Sequence, residues 1–397
     1  MIPASGGAVA GMFDLLGLRQ FVLAAAAVLA MLAPSFGQDF DTKAKFAVLM
    51  DYDSGMLLFH KDADQRLEPA SMAKLMTVAV VFNELRNGRV KMTDAFFISE
   101  HAWRDGGAKS GGSTMFAELN SKVPVEDLLT SVIVQSGNDA AIALAEGIAG
   151  SESTFANMMN RLGEEIGLTG SHFTNATGLP DPDQYSTARD LANIARYIIG
   201  NFPEYYHIFS IPEFTWNKIR QSNRNSLVEM GIGVDGLKTG HTEAAGYGSV
   251  VSTPEGGRRL IAVVHGLKSM NERAEEARKL LLWGTRSFDR IPVYPKGKTV
   301  GFANVYGGEE PQVPLIGQGD IDLFIPKGAR DCPQATITYK GPLRPPVEEG
   351  SQVAQLNIIC GGVVVQTAPL YAGATVNEGG IVRKATDALK QLALGWL

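Results

Sequence analysis

The stretch Glu68-Pro69-Ala70-Ser71-Met72-Ala73-Lys74-Leu75-Met76-Thr77 sets a serine three residues before a lysine at the head of an apolar helical pattern. Pro69 closes a loop ahead of it. Apolar residues then recur at Met72, Leu75, Met76, Ala79, Phe82 and Leu85, a helical period, and Gly88 supplies the stop. On a helix, Ser71 and Lys74 lie on one face within reach of each other. A serine hydroxyl is a poor nucleophile until a neighbouring base takes its proton. Lysine can be that base when burial and nearby positive charge lower its pKa. A lone Ser-x-x-Lys spacing arises by chance on the order of once in a chain of this length, so the pair alone decides nothing.

Two further elements follow in order. Ser136-Gly137-Asn138 ends the apolar run Val132-Ile133-Val134, and Lys238-Thr239-Gly240 precedes the strand pattern Gly246–Ser252. The ordered set S-x-x-K, S-x-N and K-T-G is the signature of penicillin-recognising serine enzymes. The residue types fit one chemistry. Addition of Ser71 to a carbonyl creates an oxyanion, for which the backbone N–H groups of Ser71 and His241 are the expected donors. Ser136 can relay a proton to the leaving amine. Asn138 can bind the substrate amide. Lys238 is expected to depress the pKa of Lys74 and to attract a carboxylate, and Thr239 offers that carboxylate a hydroxyl. A substrate with a free C-terminal carboxylate is implied.

Outward from these motifs, Phe46–Met50 reads as a buried strand, Asp53-Ser54-Gly55 as a turn, and Met56–Phe59 as the hairpin partner. Residues 125–150 read as a helical pair around Ser136, and 152–168, 187–200 and 271–283 as further helices. Strands are expected at Gly246–Ser252 and Leu260–His265. The pattern predicts an antiparallel sheet, built from the first hairpin and the strands after Lys238, flanked by helices. A helical insert over residues ~90–200 would form one wall of the cleft. Beyond Pro292, Pro295, Gly297 and Gly301 the texture changes to short strands at 313–316, 321–325, 335–339, 353–359 and 363–368. This reads as a small all-β domain.

The chain resembles the D-alanyl-D-alanine carboxypeptidases of the low-molecular-mass penicillin-binding protein family. The matching stretches are Glu68–Thr77, Gln135–Ala140, Tyr185–Asp190 and Asp235–Thr242 with Ala245-Gly246-Tyr247. The likeness covers residues ~40–290 well, and the later β region and tail match the family's longer members with weaker motifs. Family members usually carry Thr at the position of Ala73, a packing position rather than a reacting one. The resemblance implies an α/β (α+β) penicillin-binding, β-lactamase-like domain, and removal of the terminal D-alanine from peptidoglycan pentapeptides through an acyl-enzyme on Ser71. It implies β-lactams as covalent inhibitors and requires no cofactor. By position, Arg273 matches the arginine such enzymes use near the substrate carboxylate, with Arg278 and Lys268 close by in sequence. The implied substrate-binding set is Lys238, Thr239, Gly240, His241 and Arg273, and the catalytic set Ser71, Lys74, Ser136 and Asn138. A D,D-endopeptidase, a class A β-lactamase and a non-catalytic wall-binding scaffold are the alternatives. Class A β-lactamases use a loop glutamate for deacylation, and none occurs between Ile166 and Pro203.

The rest of the chain bounds the setting. It has 397 residues, 45% apolar and 20% charged, which is ordinary globular composition. A net charge of −6 gives no electrostatic case for nucleic-acid binding. Six scattered histidines form no H-E-x-x-H pair, so no metal site is expected, and the G-x-S-x-G elbow is missing. Arg19 precedes an apolar run, Phe21–Ala33, of about 13 residues, shorter than a membrane span, with small residues Ser35 and Gly37 after it. This reads as a signal peptide over residues 1–37, against a retained N-terminal anchor. The expected division is then a peptidase domain at 38–290, an all-β domain at 291–378 and an amphipathic helix at 379–397. In that last segment Ile381, Ala385, Ala388, Leu389, Leu392 and Trp396 share a face opposite Arg383, Lys384, Asp387 and Lys390. A membrane-surface anchor is expected from it, on the periplasmic face of the inner membrane, against a helix docked on its own protein. Cys332 and Cys360 form either a local disulfide or two buried thiols.

Overall fold

The computed structural model describes residues 40–254, 257–327, 334–360 and 363–394. The chain opens with the hairpin β1 (Phe46–Asp51) and β2 (Leu57–Lys61). A 3₁₀ turn, Ala70–Ala73, then leads into α1 (Lys74–Arg86), so Ser71 sits on a tight turn and Lys74 begins the helix proper. A minor hairpin, β3 (Ala95–Phe97) with β4 (Lys122–Pro124), brackets α2 (Glu100–Asp105). The insert continues with α3 (Val125–Val134), α4 (Asn138–Ala149), α5 (Glu152–Glu165) and α6 (Ala188–Asn201). A second small hairpin, β5 (Glu213–Trp216) with β6 (Ile219–Ser222), precedes β7 (Gly236–Thr242), β8 (Gly246–Thr253), β9 (Leu260–Leu267) and α7 (Met270–Ser287).

The central sheet is antiparallel throughout, in the order β2-β1-β9-β8-β7. Its two faces divide by the two-residue period of a strand. Phe46, Val48, Met50, Val250, Ile261 and Val263 join the core under the helical insert. Ala47, Leu49, Val251, Leu260, Ala262 and Val264 pack instead with Ala277, Leu280 and Leu281 of α7. Because β1 and β9 are covered on both faces, they read as continuous apolar runs. One consequence positions the site. β7 is an edge strand, so one row of its N–H and C=O groups faces away from the sheet, toward the turn that carries Ser71.

The later part of the chain is all β before a terminal helix. β10 (Phe288–Tyr294) pairs with β13 (Ile321–Pro326). β11 (Thr299–Asn304), β12 (Gln312–Ile316), β14 (Gln334–Thr338), β15 (Gln352–Cys360) and β16 (Val363–Ala372) form a sheet in the order β11-β12-β16-β15-β14. Its core gathers Ala303, Val313, Leu315, Leu356 and Leu370. Two of these strands, β10 and β11, fall where prolines and glycines read as a boundary. Pro292 is tolerated because β10 lies in a two-stranded ladder with a free edge. α8 (Ile381–Leu394) ends the described chain. Cys332, the apolar-face residue Trp396 and the segment 1–37 lie outside the described residues, as do the side chains of Cys360, Leu389 and Leu392. Among the described residues, no helix is long and apolar enough to cross a membrane.

Candidate active site

Four segments distant in sequence meet around Lys74. The lysine is fully buried. Its Nζ lies 3.2 Å from Ser71 Oγ, donates to Asn138 Oδ1 at 2.7 Å, and donates to the carbonyl oxygen of Thr177. Burial lowers its pKa to about 7, against the opposing pull of the carboxylates of Glu152 and Asp139. A neutral amine has two donors and one lone pair. With both donors taken by Asn138 and Thr177, the lone pair is left for the Ser71 hydroxyl proton. The expectation that Lys238 depresses the pKa of Lys74 needs correcting, because burial is the dominant cause. Repulsion between the two lysines is felt at Lys238, which is driven well below its ordinary value by burial first, then by Lys74, Arg273 and Arg224.

The Ser136 turn connects α3 to α4. Ser136 adopts φ +70°, a left-handed conformation that is uncommon for a residue with a side chain. Its hydroxyl is buried and has no hydrogen-bond partner. Strain and an unpaired polar atom together mark a position kept for something other than stability. The adjoining Asp139, fully buried, holds the turn against the segment before it. Its carboxylate accepts from Thr114 Oγ1 at 2.6 Å, Met115 N at 2.9 Å, Ala117 N at 3.1 Å and Ala140 N at 3.0 Å. Asn138 N donates to Ser113 O at 2.8 Å, completing the attachment.

The floor is the loop around Thr177. Asn175 Oδ1 accepts from Thr177 N, Thr177 Oγ1 and Gly178 N, the local side-chain-to-backbone pattern that suits asparagine in turns. Gly178, at φ +76°, passes so close to the Ser71 turn that a Cβ there would collide with Ala70 O. Ala73 is completely buried beneath this loop, in keeping with a packing position.

Strand β7 closes the remaining side. Lys238 is buried and its Nζ donates to Thr239 O at 3.0 Å. Thr239 is buried as well. At Gly240 a Cβ would stand 3.0 Å from Pro69 O and 3.2 Å from Ala70 Cβ, so the bare strand lets the Ser71 turn approach. His241 is exposed and stacks on Tyr247 with ring centroids 3.9 Å apart. Thr242 Oγ1 donates to Glu68 Oε1 at 2.8 Å, tying β7 to the loop ahead of Ser71. Arg273, on the first turn of α7, is buried rather than on a solvated face, whereas Arg278 and Lys268 are exposed. Arg273 Nη2 donates to Arg224 O at 3.1 Å, and burial lowers its pKa to about 10.

A family model described as D-alanyl-D-alanine carboxypeptidase matches residues 33–269, and one described as the C-terminal domain of penicillin-binding protein 5 matches residues 288–378. The chain belongs to the D-alanyl-D-alanine carboxypeptidase family. The D-alanyl-D-alanine carboxypeptidase DacC of Escherichia coli is 40% identical over 348 residues, 87% of each chain. DacA of Haemophilus influenzae is 41% identical over 349 residues, 87% of this chain and 88% of that one. Among solved structures, penicillin-binding protein 5 from Haemophilus influenzae aligns with a TM-score of 0.71 at 40% identity, covering 86% of this chain and all of that one. Penicillin-binding protein 6B from Escherichia coli aligns with a TM-score of 0.65 at 36% identity, covering 85% and 97%.

This chain is therefore a serine-type D-Ala-D-Ala carboxypeptidase. The carboxypeptidase brings together more than its motifs named. Residues unforeseen in the sequence are Thr177, whose contribution is a backbone carbonyl, and Arg224, whose positive charge reaches Lys238. Glu152 and Asp139 are the carboxylates whose charge acts on Lys74. Asp139 adjoins the S-x-N motif and so carried a signal. A backbone acceptor carries none, since any residue type supplies one.

Proposed function

We propose that Ser71 is the nucleophile of this carboxypeptidase and that Lys74 is its base. The observation that supports this best is the three-way contact of the buried Lys74 amine with Ser71, Asn138 and Thr177. In acylation, the Ser71 hydroxyl proton passes to Lys74 while Oγ bonds to the carbonyl carbon of the penultimate D-alanine. The backbone N–H groups of Ser71 and His241 receive the oxyanion. Ser136, with its free hydroxyl, relays the proton to the departing amine as the C–N bond breaks, releasing D-alanine. Water then adds to the ester and frees the tetrapeptide and Ser71. Asn138 holds the substrate amide. Lys238, Thr239 and Arg273 receive the terminal carboxylate, and Gly240 keeps the strand bare beside the nucleophile. A bound anion favours the charged form of Lys238. Labelling with a fluorescent penicillin followed by peptide mapping should place the adduct on Ser71. Ser71→Ala should lose both the label and D-alanine release, and an adduct elsewhere overturns the assignment.

We further propose that the enzyme is exported by a signal peptide over 1–37. Its peptidase domain at 38–290 would be joined through an all-β domain at 291–378 to a membrane-surface helix at 379–397. The exposed apolar side chains at the start of α8 support the anchor: Ile381 is 87% and Val382 82% exposed. Polar contacts fasten the helix to the rest of the protein, Lys384 Nζ to Glu378 Oε2 at 2.8 Å and Gly307 N to Asp387 Oδ2 at 2.9 Å. An amphipathic helix fastened by its polar side leaves its apolar side for the lipid interface. Deleting residues 379–397 should move the enzyme from the membrane to the soluble fraction without loss of penicillin labelling. Unchanged partition refutes the anchor.

A further inference from the structure

Glu152 takes no part in the reaction just described, yet it stands behind the lysine at its centre. It is the first residue of α5, whose N-terminus is capped by Ser151. Its Oε1 accepts from Ala176 N at 2.9 Å. Ala176 O in turn accepts from Thr77 Oγ1 at 2.8 Å, and Thr77 lies on α1 three residues after Lys74. The next carbonyl in the chain, that of Thr177, is the one that receives Lys74 Nζ. One residue of backbone thus links the carboxylate to the acceptor of the lysine.

The other carboxylate oxygen faces His101. Glu152 Oε2 lies 3.7 Å from His101 Nε2, and His101 Nδ1 lies 2.9 Å from Glu146 Oε1. Asp105 Oδ2 stands 3.6 Å from the same Nε2. The charged and titratable groups acting on Glu152 are therefore His101 from α2, Glu146 from α4 and Lys74 from α1, with Asp105 behind His101. Those acting on Lys74 are Glu152 and Asp139, which favour its protonated form against burial, while the repulsion between the two lysines is felt at Lys238. The loop from Ser171 to Leu179 adds one titratable side chain, His172, whose Nδ1 is paired with Asp183 O. Glu152 is partly buried, its side chain 17% exposed, and that burial raises its pKa while His101 and Lys74 favour the ionised form. A carboxylate so placed cannot be screened by solvent as a surface acid is.

We propose that Glu152 is a positioning residue for Lys74. Through Ala176 it fixes the Thr177 carbonyl that receives the lysine, and through its negative charge it sets the pH at which the amine is free to accept the Ser71 proton. The inference rests on Lys74 acting as the base. The sign follows directly. The protonated lysine is stabilised by a negative neighbour, so removing the charge makes Lys74 neutral at lower pH and extends acylation toward acid.

Glu152→Gln and Glu152→Ala separate the two roles. Glutamine keeps an oxygen for Ala176 N and discards the charge, whereas alanine discards both. The measurement is the rate of penicillin acylation against pH, with the full chain and with the adduct mapped to Ser71. In Glu152→Gln the acid limb should move about one unit toward acid, giving roughly fivefold faster acylation one unit below the parent midpoint, with the plateau kept within about twofold. A destabilised loop cannot produce that gain. In Glu152→Ala the plateau itself should fall at least about tenfold, as the Thr177 carbonyl drifts. Superposable parent and glutamine profiles overturn the charge role, and an alanine plateau equal to the parent's overturns the positioning role. A parent profile without an acid limb overturns Lys74 as base, and this proposal with it.

Discussion

Replacing Lys74 with methionine should slow acylation of Ser71 by penicillin by about 10²–10⁴-fold, the range that a positioned general base contributes. Methionine keeps most of the aliphatic volume that α1 packs into the core, so the fold should survive. The substitution leaves Asn138 Oδ1 and Thr177 O without their donor. Each is buried, so some stability is lost too, which makes circular dichroism and thermal unfolding necessary controls. Lys74→Arg is the sharper companion. A guanidinium keeps positive charge but stays protonated at any accessible pH. If Lys74 serves as a base, arginine should rescue nothing. If it serves as a fixed cation, arginine should restore a measurable part of the rate. Retention of acylation within about tenfold in Lys74→Met removes the lysine from its role.

Asp139→Ala should destabilise the catalytic domain by about 4 kcal/mol, a large share of what holds a domain together. The carboxylate accepts four hydrogen bonds from Thr114, Met115, Ala117 and Ala140 in a fully buried setting. Alanine leaves those donors in a space that offers no replacement. The effect also reaches the chemistry. Asn138, one residue away, is pinned by its N–H to Ser113 O, within the segment that Asp139 anchors. When that segment loosens, Asn138 Oδ1 no longer holds the Lys74 amine at one position. Urea unfolding, followed by the loss of penicillin-labelling competence, measures the first effect, and the acylation plateau of the remaining folded fraction measures the second. Asp139→Asn should cost about half as much, since its amide keeps one oxygen for donors while its NH₂ opposes another. A midpoint within experimental error of the parent's would show that the network is incidental.

Much of this architecture was legible in the chain. The strands β8 and β9, the helical period after Ser71, and the prolines and glycines of the later β region each follow from local patterning. Where the reading was incomplete, the reason is local as well. Pro292 and Gly301 sit inside β10 and β11, because free edges and bare strands admit residues that normally punctuate chains. The turn at Ser71 is 3₁₀ rather than α, a difference that apolar periodicity over four residues cannot register.

The sequence by itself determined the order and identity of the candidate reacting groups: Ser71, Lys74, Ser136, Asn138 and Lys238-Thr239-Gly240 stand in a pattern that one chemistry explains. Tertiary structure alone decided their electrical state. Burial, not the neighbouring Lys238, is what brings Lys74 to about 7, and burial is the sum of packing by α1, the Ser136 turn and the Thr177 loop. Selection of Arg273 over Arg278 and Lys268 as the buried cation also waited on the fold, since three cations so close in sequence read alike. Glu152 was unreadable for a further reason. Its partner is the backbone N–H of Ala176, a group every residue but proline carries, so no pattern of side chains could have named it.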